Sequence, residues 1–313
     1  MLNKEKIDLV IPFVDGNDPV WIKEFCKYKK FFNPTWSDGN IKTRYDGDDI
    51  LMYVFRSVAK YAPWINKIHL LLSGPSQIPK WLNTENVHVV YHNEFMPEFV
   101  LPCFNSSTFE NFIWNVPDLS EHFIYGNDDF IFNGVVAPKD FFAVVKGRIL
   151  NKNTVRYGKC KISSLNSAWF STFVNAAKLA TVDTDVPPIY PGMYLTCEHD
   201  VKSCSKTQQK ELYLKYENEL KQSFSMFREE KNVNGYFYMI HEKVHDKDHV
   251  DSDRVYKYCP VKKDNLEAIE QILQDERIQS ISLNDVNVTT IDDKLAIIEL
   301  LSNKFPNKCK YER

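Results

Sequence analysis

The stretch His122–Gly134, HFIYGNDDFIFNG, places Asn127, Asp128 and Asp129 between two short runs of strand-forming, mostly apolar residues. Asn and Asp are common in polar turns, because their side chains hydrogen-bond the neighbouring backbone. A second interpretation is that a buried strand ends at Tyr125 and presents the acids at the carboxyl edge of a sheet, where α/β enzymes build their sites. On this stretch alone both interpretations stay open.

The chain before this stretch alternates strand and helix patterns. Residues 7–14, IDLVIPFV, are typical of a buried strand, and residues 48–65 place apolar side chains at helical spacing behind an Asp cap at Asp48. Further predicted elements are a strand at 67–74, a short helix at 79–83 (PKWLN) and a strand at 87–92. This alternation predicts an α/β fold with a mainly parallel sheet flanked by helices.

The chain beyond residue 135 is less regular. The sequence PPIYPG at 187–192 indicates a loop or boundary. We therefore expect an α/β core at residues 1–190 and a smaller, mostly helical portion at residues 191–313, which completes the active site or is integrated with the core. Predicted helices in the second portion are a long solvated one at 206–227 and an Asp-capped one that starts near Asp292 and stops around Pro306.

Composition excludes some classes of protein. The 313 residues include 39 Lys and Arg against 42 Asp and Glu, a formal net charge of −3, so a nucleic-acid partner is not expected. The apolar run Leu9–Val14 is too short for a signal peptide core or a membrane span. Seven cysteines form no CxxC pair, and their odd number favours reduced thiols. We expect a cytoplasmic protein.

The sequence HEKVH, His241–His245, matches the HExxH pattern of zinc proteases. A protease helix of this kind is buried at the cleft and needs a third ligand. Here the motif leads into a charged segment, DKDHVDSDR, that looks solvated. A zinc protease is therefore a distant alternative, and a polar helix end is the favoured interpretation.

A second candidate for chemistry is His199 in CEHDVKS, flanked by Glu198 and Asp200. A single His is more often structural than catalytic. However, His199 falls in a polar loop before a predicted helix, and Arg228 in SMFREEKN falls near the far end of that helix. A His that accepts a proton and an Arg that holds a phosphate are what phosphoryl transfer requires.

Acidic side chains recur after predicted strands. Carboxylate and amide oxygens of this kind suit Mg²⁺ or Mn²⁺, which would bridge a diphosphate. Each group alone is weak evidence, because Asp-Gly and Asn-Asp are common in turns. The groups are Asp15 with Asp18, Asp128 with Asp129, and Asn284 with Asp285.

Taken in order, four parts of the chain resemble the four conserved regions of the Stealth family. They are IDLVIPFVDGNDPVW; LMYVFRSVAKYAPWINKIHLLLSGPSQIPKWLN with LPCFNSSTFENFIWNVPDLSEHFIYGNDDFIF; EHDVKS to MFREEKN; and LNDVN to NKFPNKCKYE. That family comprises bacterial capsular-polysaccharide sugar-1-phosphate transferases and the catalytic part of the lysosomal-enzyme GlcNAc-1-phosphotransferase. The resemblance implies a glycosyltransferase-A-like core that binds a nucleotide-sugar.

The resemblance also implies roles for individual residues. By position, His199, Arg228, Asp128 and Asp129 match family motifs, and we expect them to be catalytic: His199 or one of the two acids would take the hydroxyl proton, and Arg228 would hold charge on the phosphoryl group. The oxygen ligands of Asp128, Asp129, Asn284 and Asp285 would bind Mg²⁺ or Mn²⁺. The resemblance also implies substrate binding by Asp15, Asn17, Asp18, Asn105, Ser106 and Glu110. The family more often has Asn at the position of Asp15.

The expected function is transfer of a hexose-1-phosphate, such as GlcNAc-1-phosphate, from a UDP-sugar to a sugar hydroxyl. The reaction would release UMP and form a phosphodiester in capsular or exopolysaccharide synthesis. The implied partners are the nucleotide-sugar donor and a glycan acceptor, with peripheral association at the cytoplasmic face of the membrane. The nearest alternative is a metal-dependent glycosyltransferase that attacks at the sugar carbon and releases UDP. A non-catalytic binding protein is a further alternative.

Overall fold

The computed structural model describes residues 2–29, 50–159, 167–286 and 288–313. The strands in these ranges are β1 (Ile7–Pro12), β2 (Ile68–Leu72), β3 (His88–Tyr91), β4 (His122–Tyr125), β5 (Phe130–Phe132), β6 (Phe142–Val145), β7 (Arg148–Asn151), β8 (Val155–Lys159), β9 (Ile189–Tyr190), β10 (Met193–Cys197), β11 (Lys202–Ser205), β12 (Tyr256–Val261) and β13 (Ser280–Asp285). The helices are α1 (Pro19–Lys29), α2 (Ile50–Tyr61), α3 (His92–Phe95), α4 (Ser106–Phe109), α5 (Pro138–Phe141), α6 (Ala168–Ala180), α7 (Lys206–Lys215), α8 (Glu217–Ser223), α9 (Tyr236–His245), α10 (Leu266–Gln274) and α11 (Ile291–Lys304).

Five strands form the central sheet, in the order β11-β4-β1-β2-β3. Strands β1 to β4 run parallel, and β11 is antiparallel to β4. β1 and β2 are almost continuous runs of apolar residues, and all their residues except Pro12 are buried. Strands of this kind occur where helices cover both faces of a parallel sheet. The predicted α/β class with a mainly parallel sheet is confirmed.

Helices cover the two faces of the central sheet. Leu9 of β1 belongs to one buried cluster, together with Phe55 of α2 and Ile297 of α11. Val10 points to the opposite face and belongs to a second cluster, with Phe237 of α9. Burial of a side chain such as Phe55 stabilises the fold by roughly 1.5–3 kcal/mol. The alternation of side chains along β1 therefore separates the two halves of the core.

The strand order reverses beside β1. The chain proceeds from β1 to β2 and β3 on one side, and then returns to place β4 on the other side of β1. At such a reversal the loops that follow the two neighbouring strands diverge and leave a crevice at the carboxyl edge. The loop after β1 begins at Phe13, and the loop after β4 begins at Gly126. The fold thus predicts a ligand site between these loops.

Smaller sheets extend the structure around the site. β12 runs parallel to β13, which pairs antiparallel with β5, and β5 follows the acidic loop directly. Another sheet has the order β8-β10-β9, and β10 leads into the segment that contains His199. β6 and β7 form a hairpin.

Several predicted elements differ from the observed ones. Residues 79–83 are not a helix, because Leu82 forms a β-bridge with Glu312 and the Asn83 N–H donates to the carbonyl of Tyr311 at 2.8 Å. The helix predicted at 206–227 is two helices, α7 and α8, which are separated at Tyr216. The ring of Tyr216 turns into the core and lies against Phe237 and His241.

The caps of the predicted helices also differ. The last helix is capped by Thr290, whose hydroxyl accepts a hydrogen bond from the Asp293 N–H, so the predicted Asp cap is wrong. The Asp293 carboxylate completes a capping box. Asp48, the predicted cap of α2, lies outside the described residues. The apolar stripe of α2 is buried as expected, at Ile50, Leu51, Val54, Phe55 and Val58.

The segment after residue 190 is connected to the core through shared sheets. Within its described residues it contributes helices α7 to α11 and strands β10 to β13. β11 is a member of the central sheet, and β13 pairs with β5. The division at residue 190 stays a prediction.

No helix in the described ranges is both long and apolar enough to span a bilayer. The six cysteines that lie in those ranges are free thiols: Cys26, Cys103, Cys197, Cys204, Cys259 and Cys309.

Candidate active site

Sheet pairing brings the predicted site residues to one edge. Lys202 at the start of β11 lies opposite Tyr125 at the end of β4, so the segment before Lys202, which includes His199, extends over the carboxyl edge. Ser282 of β13 lies opposite Phe130 of β5, so Asn284 continues toward the acidic loop. Residues from three distant parts of the sequence therefore meet beside Asp128 and Asp129.

The sharp turn into the acidic loop depends on Gly126. A Cβ atom at this position would lie 2.5 Å from the ring of Phe130, which is buried in β5. Because that ring is enclosed by the core, it cannot move aside at low cost. Gly126 thus allows β4 to turn directly into the Asn127–Asp129 loop.

His199 is held through both its backbone and its ring. Its carbonyl oxygen accepts hydrogen bonds from the hydroxyl of Tyr256 and from Ser282 Oγ, the latter at 2.9 Å. Its ring Nδ1 lies 3.4 Å from the hydroxyl of Tyr236, and Nε2 lies 3.4 Å from Asn127 Nδ2. The imidazole is thereby placed between α9 and the acidic loop.

Opposing effects act on the His199 imidazole. Burial lowers its pKa, the Asp129 carboxylate raises it, the Lys202 ammonium lowers it and Asp200 raises it. The net result is a pKa below the ordinary value for His. At neutral pH the ring is therefore mainly neutral, which is the form that can accept a proton.

Only one of the two carboxylate oxygens of Asp129 accepts a hydrogen bond from the described residues. Oδ2 accepts a hydrogen bond from Asn284 Nδ2 at 3.0 Å, whereas the buried Oδ1 accepts none from the described residues. Asp128 lies near the Tyr125 phenol and helps to raise its pKa, after the larger effects of burial and of Glu110. Asp285 points elsewhere, since its carboxylate forms an ion pair with Lys294 at 2.5 Å. The structure brings together Asp128, Asp129 and Asn284, but not Asp285.

The donor set limits which metal could bind. Within the described ranges, no three His, Cys, Asp or Glu side chains are grouped closely enough to form a metal site by themselves. Mg²⁺ commonly uses only one or two carboxylates and completes its coordination with water and substrate phosphates. The Oδ1 of Asp129, which accepts no hydrogen bond from the described residues, and the adjacent Asp128 fit an ion of that kind.

Positive charge comes from two side chains that approach from different segments. Arg228 donates through Nη2 to Ser106 Oγ at 2.6 Å. Lys202 is 5% exposed, and its ammonium lies over the rings of Tyr125 and Tyr236, 5.7 and 4.9 Å from their centroids. A cation buried this far is suited to an anionic ligand.

Glu110 connects these cations to the sheet edge. It accepts hydrogen bonds from the Gly235 N–H at 2.8 Å and from the Tyr125 hydroxyl at 3.1 Å. Burial raises its pKa, while the Gly235 N–H, Lys202, Arg228 and the Tyr125 hydroxyl act in the opposite direction. Glu110 lies among protein groups and helps to place the start of α9.

Several residues predicted to bind substrate have structural partners. Asn105 is 2% exposed, caps α4 by accepting from the Ser107 N–H, and donates to Ser225, Phe227 and Asn232. This connects the segment 105–110 to the segment that carries Arg228. Asn105 therefore supports the site from within the core.

The acidic loop after β1 is also tied to its neighbours. Asp18 accepts hydrogen bonds from the N–H groups of Val20 and Trp21, from Ser76 Oγ and from Gln77 Nε2. Asp15 accepts from the Asn17 N–H at 2.9 Å, and Asn17 is exposed. Asp15 and Asn17 remain accessible at the edge, whereas Asp18 holds the start of α1.

Five residues of the site were not predicted from the sequence: Tyr125, Lys202, Tyr236, Tyr256 and Tyr258. Each contacts or surrounds His199, Glu110 or Asn284. Their only sequence signal is proximity to predicted strands and motifs, since a Tyr or a Lys next to apolar residues is more often part of the core or surface.

The HEKVH segment forms the end of α9, away from the acids. His241 and Glu242 are buried, whereas the charged segment that follows, residues 246–253, is half-buried or exposed, as expected. Glu242 accepts from Asn151 Nδ2 at 3.0 Å, while His245 Nε2 lies 3.1 Å from the carbonyl of Ala180. These partners give no support to a zinc protease.

A polar cavity of about 400 Å³ lies beside the His199 segment. Its lining includes Glu198, Asp200, Lys202, Arg254 and Tyr256. Hydroxyl and charged groups of this kind can bind a polyhydroxylated ligand through hydrogen bonds.

Solved structures with similar shape include two glycosyltransferases. One is the galactosyltransferase LgtC in complex with donor and acceptor sugar analogues, with TM-score 0.41, 10% identity and coverage of 95% of this chain and 96% of that chain. The other is GlyE of Streptococcus pneumoniae, with TM-score 0.40, 11% identity and coverage of 98% of this chain and 65% of that chain. Because these similarities are weak, the fold class of this chain rests on its own strand order.

Curated relatives share a segment of the sequence. The exopolysaccharide phosphotransferase cps2G of Lactiplantibacillus plantarum is 43% identical over 139 residues, which are 44% of this chain and 39% of that protein. The receptor polysaccharide phosphotransferase WefC of Streptococcus gordonii is 41% identical over 142 residues, 44% of this chain and 42% of that protein. The chain thus matches about two fifths of the length of these relatives.

A protein-family model also matches residues within the first half of the chain. The family model of Stealth protein CR2, conserved region 2, matches residues 44–149, which include β2 to β6 and the acidic loop. The resemblance to the Stealth family is therefore confirmed, and residues 44–149 of this chain match conserved region 2 of that family.

Proposed function

We propose that this chain is a sugar-1-phosphate transferase of polysaccharide synthesis. It would move a hexose-1-phosphate, such as GlcNAc-1-phosphate, from a UDP-sugar to a sugar hydroxyl, forming a phosphodiester and releasing UMP. The observation that carries the proposal is the meeting of His199, Asp128 and Asp129 with Arg228 and Lys202 nearby, at the point where the strand order reverses. The names of the relatives, which are polysaccharide phosphotransferases, support it.

His199 would act as the general base. The acceptor hydroxyl attacks the phosphorus attached to the donor sugar, and the imidazole takes the hydroxyl proton as the new P–O bond forms. UMP leaves with the electrons of the broken P–O bond. The depressed pKa keeps the ring neutral and ready for this step, and such a base contributes roughly 10²- to 10⁴-fold in rate.

Cations would stabilise the phosphoryl oxygens and the leaving group. The guanidinium of Arg228 can form a bidentate contact with a phosphate, and the ammonium of Lys202 adds positive charge. Asp128 and Asp129 would hold Mg²⁺ or Mn²⁺, which when bound neutralises the charge of the donor diphosphate. In phosphoryl transfer, positioning and electrostatic stabilisation supply most of the catalysis.

The donor and acceptor would occupy the open edge of the sheet. Asp15 and Asn17 lie on the β1 side of the crevice, and the polar cavity near Glu198 lies on the His199 side. We propose that the donor lies toward the first and the glycan acceptor toward the second. We propose that the reaction takes place in the cytoplasm, at the inner face of the membrane, because nucleotide-sugars are available there and capsule assembly occurs there.

A product assay tests the proposal. We expect the protein, incubated with UDP-GlcNAc or another UDP- or GDP-sugar and a glycan acceptor, to release the nucleoside monophosphate. Release of the diphosphate instead would show a glycosyltransferase that attacks at the sugar carbon. His199→Ala and Arg228→Ala should each reduce release by at least about 100-fold with an unchanged circular dichroism spectrum. Near-normal turnover in either variant would remove that residue from the mechanism.

A further inference from the structure

Tyr258 stands beside the proposed catalytic groups although nothing in the sequence pattern indicates it. It lies in β12, opposite Ser282 of the parallel strand β13. Its side chain is on the same face of the strand as that of Tyr256, two residues earlier, because side chains alternate along a strand. With 46% of its surface exposed, Tyr258 lies at the solvent side of the site, whereas Tyr256 is half-buried.

The hydroxyl of Tyr258 starts a chain of hydrogen bonds that ends at Asp129. It donates to Asn284 Oδ1 at 2.8 Å, and Asn284 Nδ2 donates to Asp129 Oδ2 at 3.0 Å. The oxygen and nitrogen of an amide are fixed on opposite sides of one planar group. By holding Oδ1, the tyrosine therefore directs Nδ2 at the carboxylate.

The same tyrosine also contacts His199. The two rings meet edge to face, with centroids 5.7 Å apart and an interplanar angle of 82°. Tyr256 meanwhile donates to the carbonyl of His199. Both tyrosines of β12 thus contact His199. Tyr256 holds the His199 backbone, and Tyr258 contacts both the His199 ring and Asn284.

We propose that Tyr258 is a positioning residue that acts through Asn284 to fix the Asp129 carboxylate relative to His199. The hydrogen bond engages Asp129 Oδ2, so the buried Oδ1 is the carboxylate oxygen that accepts no hydrogen bond from the described residues. This inference rests on the proposed function, since it assigns the tyrosine a purpose in that reaction.

Tyr258→Phe tests the hydroxyl while keeping the ring against His199. Loss of one hydrogen bond that orients a reacting group should lower kcat for nucleoside monophosphate release by about tenfold, with the acceptor KM changed less than about twofold. Asn284→Ala should produce a loss of at least the same size. The matched control is Tyr157→Phe, which removes a hydroxyl that donates to the carbonyl of Pro187, outside the site, and should leave kcat unchanged.

The double variant decides whether Tyr258 acts through Asn284. If it does, Tyr258→Phe should have no further effect on kcat in the Asn284→Ala background. Independent, multiplicative losses would overturn the proposal, and so would a normal kcat in Tyr258→Phe.

The same cycle measured by urea unfolding reports on the hydrogen bond without activity. Non-additive shifts of the unfolding midpoint are expected from the pair. Additive shifts would overturn the chain of hydrogen bonds itself. If coupling is seen in unfolding while the wild-type protein releases no nucleotide, the proposed function has failed and the positioning contact has not.

Discussion

Two acids at the edge of the central sheet have opposite surroundings. Asp18 uses its oxygens to accept four hydrogen bonds from Val20, Trp21, Ser76 and Gln77, whereas Asp129 Oδ1 accepts none from the described residues. These hydrogen bonds outweigh burial, which acts in the opposite direction, and lower the pKa of Asp18. Asp18 is engaged in holding α1, while Asp129 retains the capacity to bind a ligand.

Matched substitutions should separate these two roles. We expect Asp129→Asn to reduce transfer by at least about 100-fold with little change in stability. Asp18→Asn should instead lower the free energy of unfolding by about 1 kcal/mol, because a cap and its partners are weakened. Urea unfolding and the nucleotide-release assay measure both variants. A large loss of activity without a loss of stability in Asp18→Asn would contradict this assignment and favour direct substrate binding.

The stability effect of Asp18 should depend on pH. Since its pKa is lowered in the folded state, its contribution is present above the ordinary Asp value and is lost as the pH falls through the lowered pKa. The difference between wild type and Asp18→Asn should therefore shrink below about pH 4.

Among the elements, α9 carries buried polar groups on different faces. Its start contributes Tyr236 to the His199 site, and its end contains His241 stacked on His245, with ring centroids 3.9 Å apart. Glu242 points toward Asn151 instead, and burial raises its pKa to about 7, with a further upward contribution from Asp246. The HExxH spacing therefore reflects how this helix packs rather than a metal site.

The raised pKa of Glu242 predicts a specific pH effect. The folded state holds a proton that the unfolded state has lost between about pH 4.5 and 7, so this group's contribution to stability falls as the pH rises through that range. Glu242→Gln should remove the penalty and raise the free energy of unfolding at pH 8 by at most about 3 kcal/mol. The gain should be much smaller at pH 5.

Thermal unfolding at the two pH values checks this. The exposed Glu211→Gln in α7 serves as the matched control and should show no such pH-dependent gain. An equal effect of Glu242→Gln at pH 5 and pH 8 would show that Glu242 is ionised in the folded protein.

In the whole molecule, a buried ion pair links two segments that are distant in the sequence. Arg254 pairs with Asp200 at 2.9 Å, and their side chains are 2% and 10% exposed. Arg254 also donates to the carbonyls of Asp140 and Val201, and Ser280 Oγ donates to Asp200. The pair therefore connects the central sheet with β13 and holds the residue next to His199.

Arg254→Met should be strongly destabilising, by about 3–5 kcal/mol, because it leaves the Asp200 carboxylate buried without its partner. The matched control is Arg148→Met, since exposed Arg148 pairs with Asp246 and Asp248 on the surface. We expect this control to be close to wild type in urea unfolding. Equal effects of the two substitutions would contradict a structural role for the buried pair.

Local sequence patterns were sufficient to predict the positions of the core strands β1 and β2 and of helix α2. β1 and β2 are apolar runs that any parallel sheet would bury, and α2 has a clear apolar stripe, so their positions follow from periodicity. The helix predicted at residues 79–83 does not form, because Leu82 pairs with Glu312, 230 positions away, and no local pattern contains that contact. Tyr216 interrupts the long predicted helix for the same kind of reason, a tertiary contact with α9.

Local spacing and motifs were sufficient to predict the α/β class, the family resemblance and the main candidates His199, Arg228, Asp128 and Asp129. Which acids accept hydrogen bonds from neighbouring groups, and which do not, became evident only in the folded structure. It separated Asp285 from Asn284 through the alternation of side chains along β13, and it added Lys202 and the tyrosines around His199. Burial and hydrogen-bond partners are properties of the folded core, so residue type and spacing could not supply them.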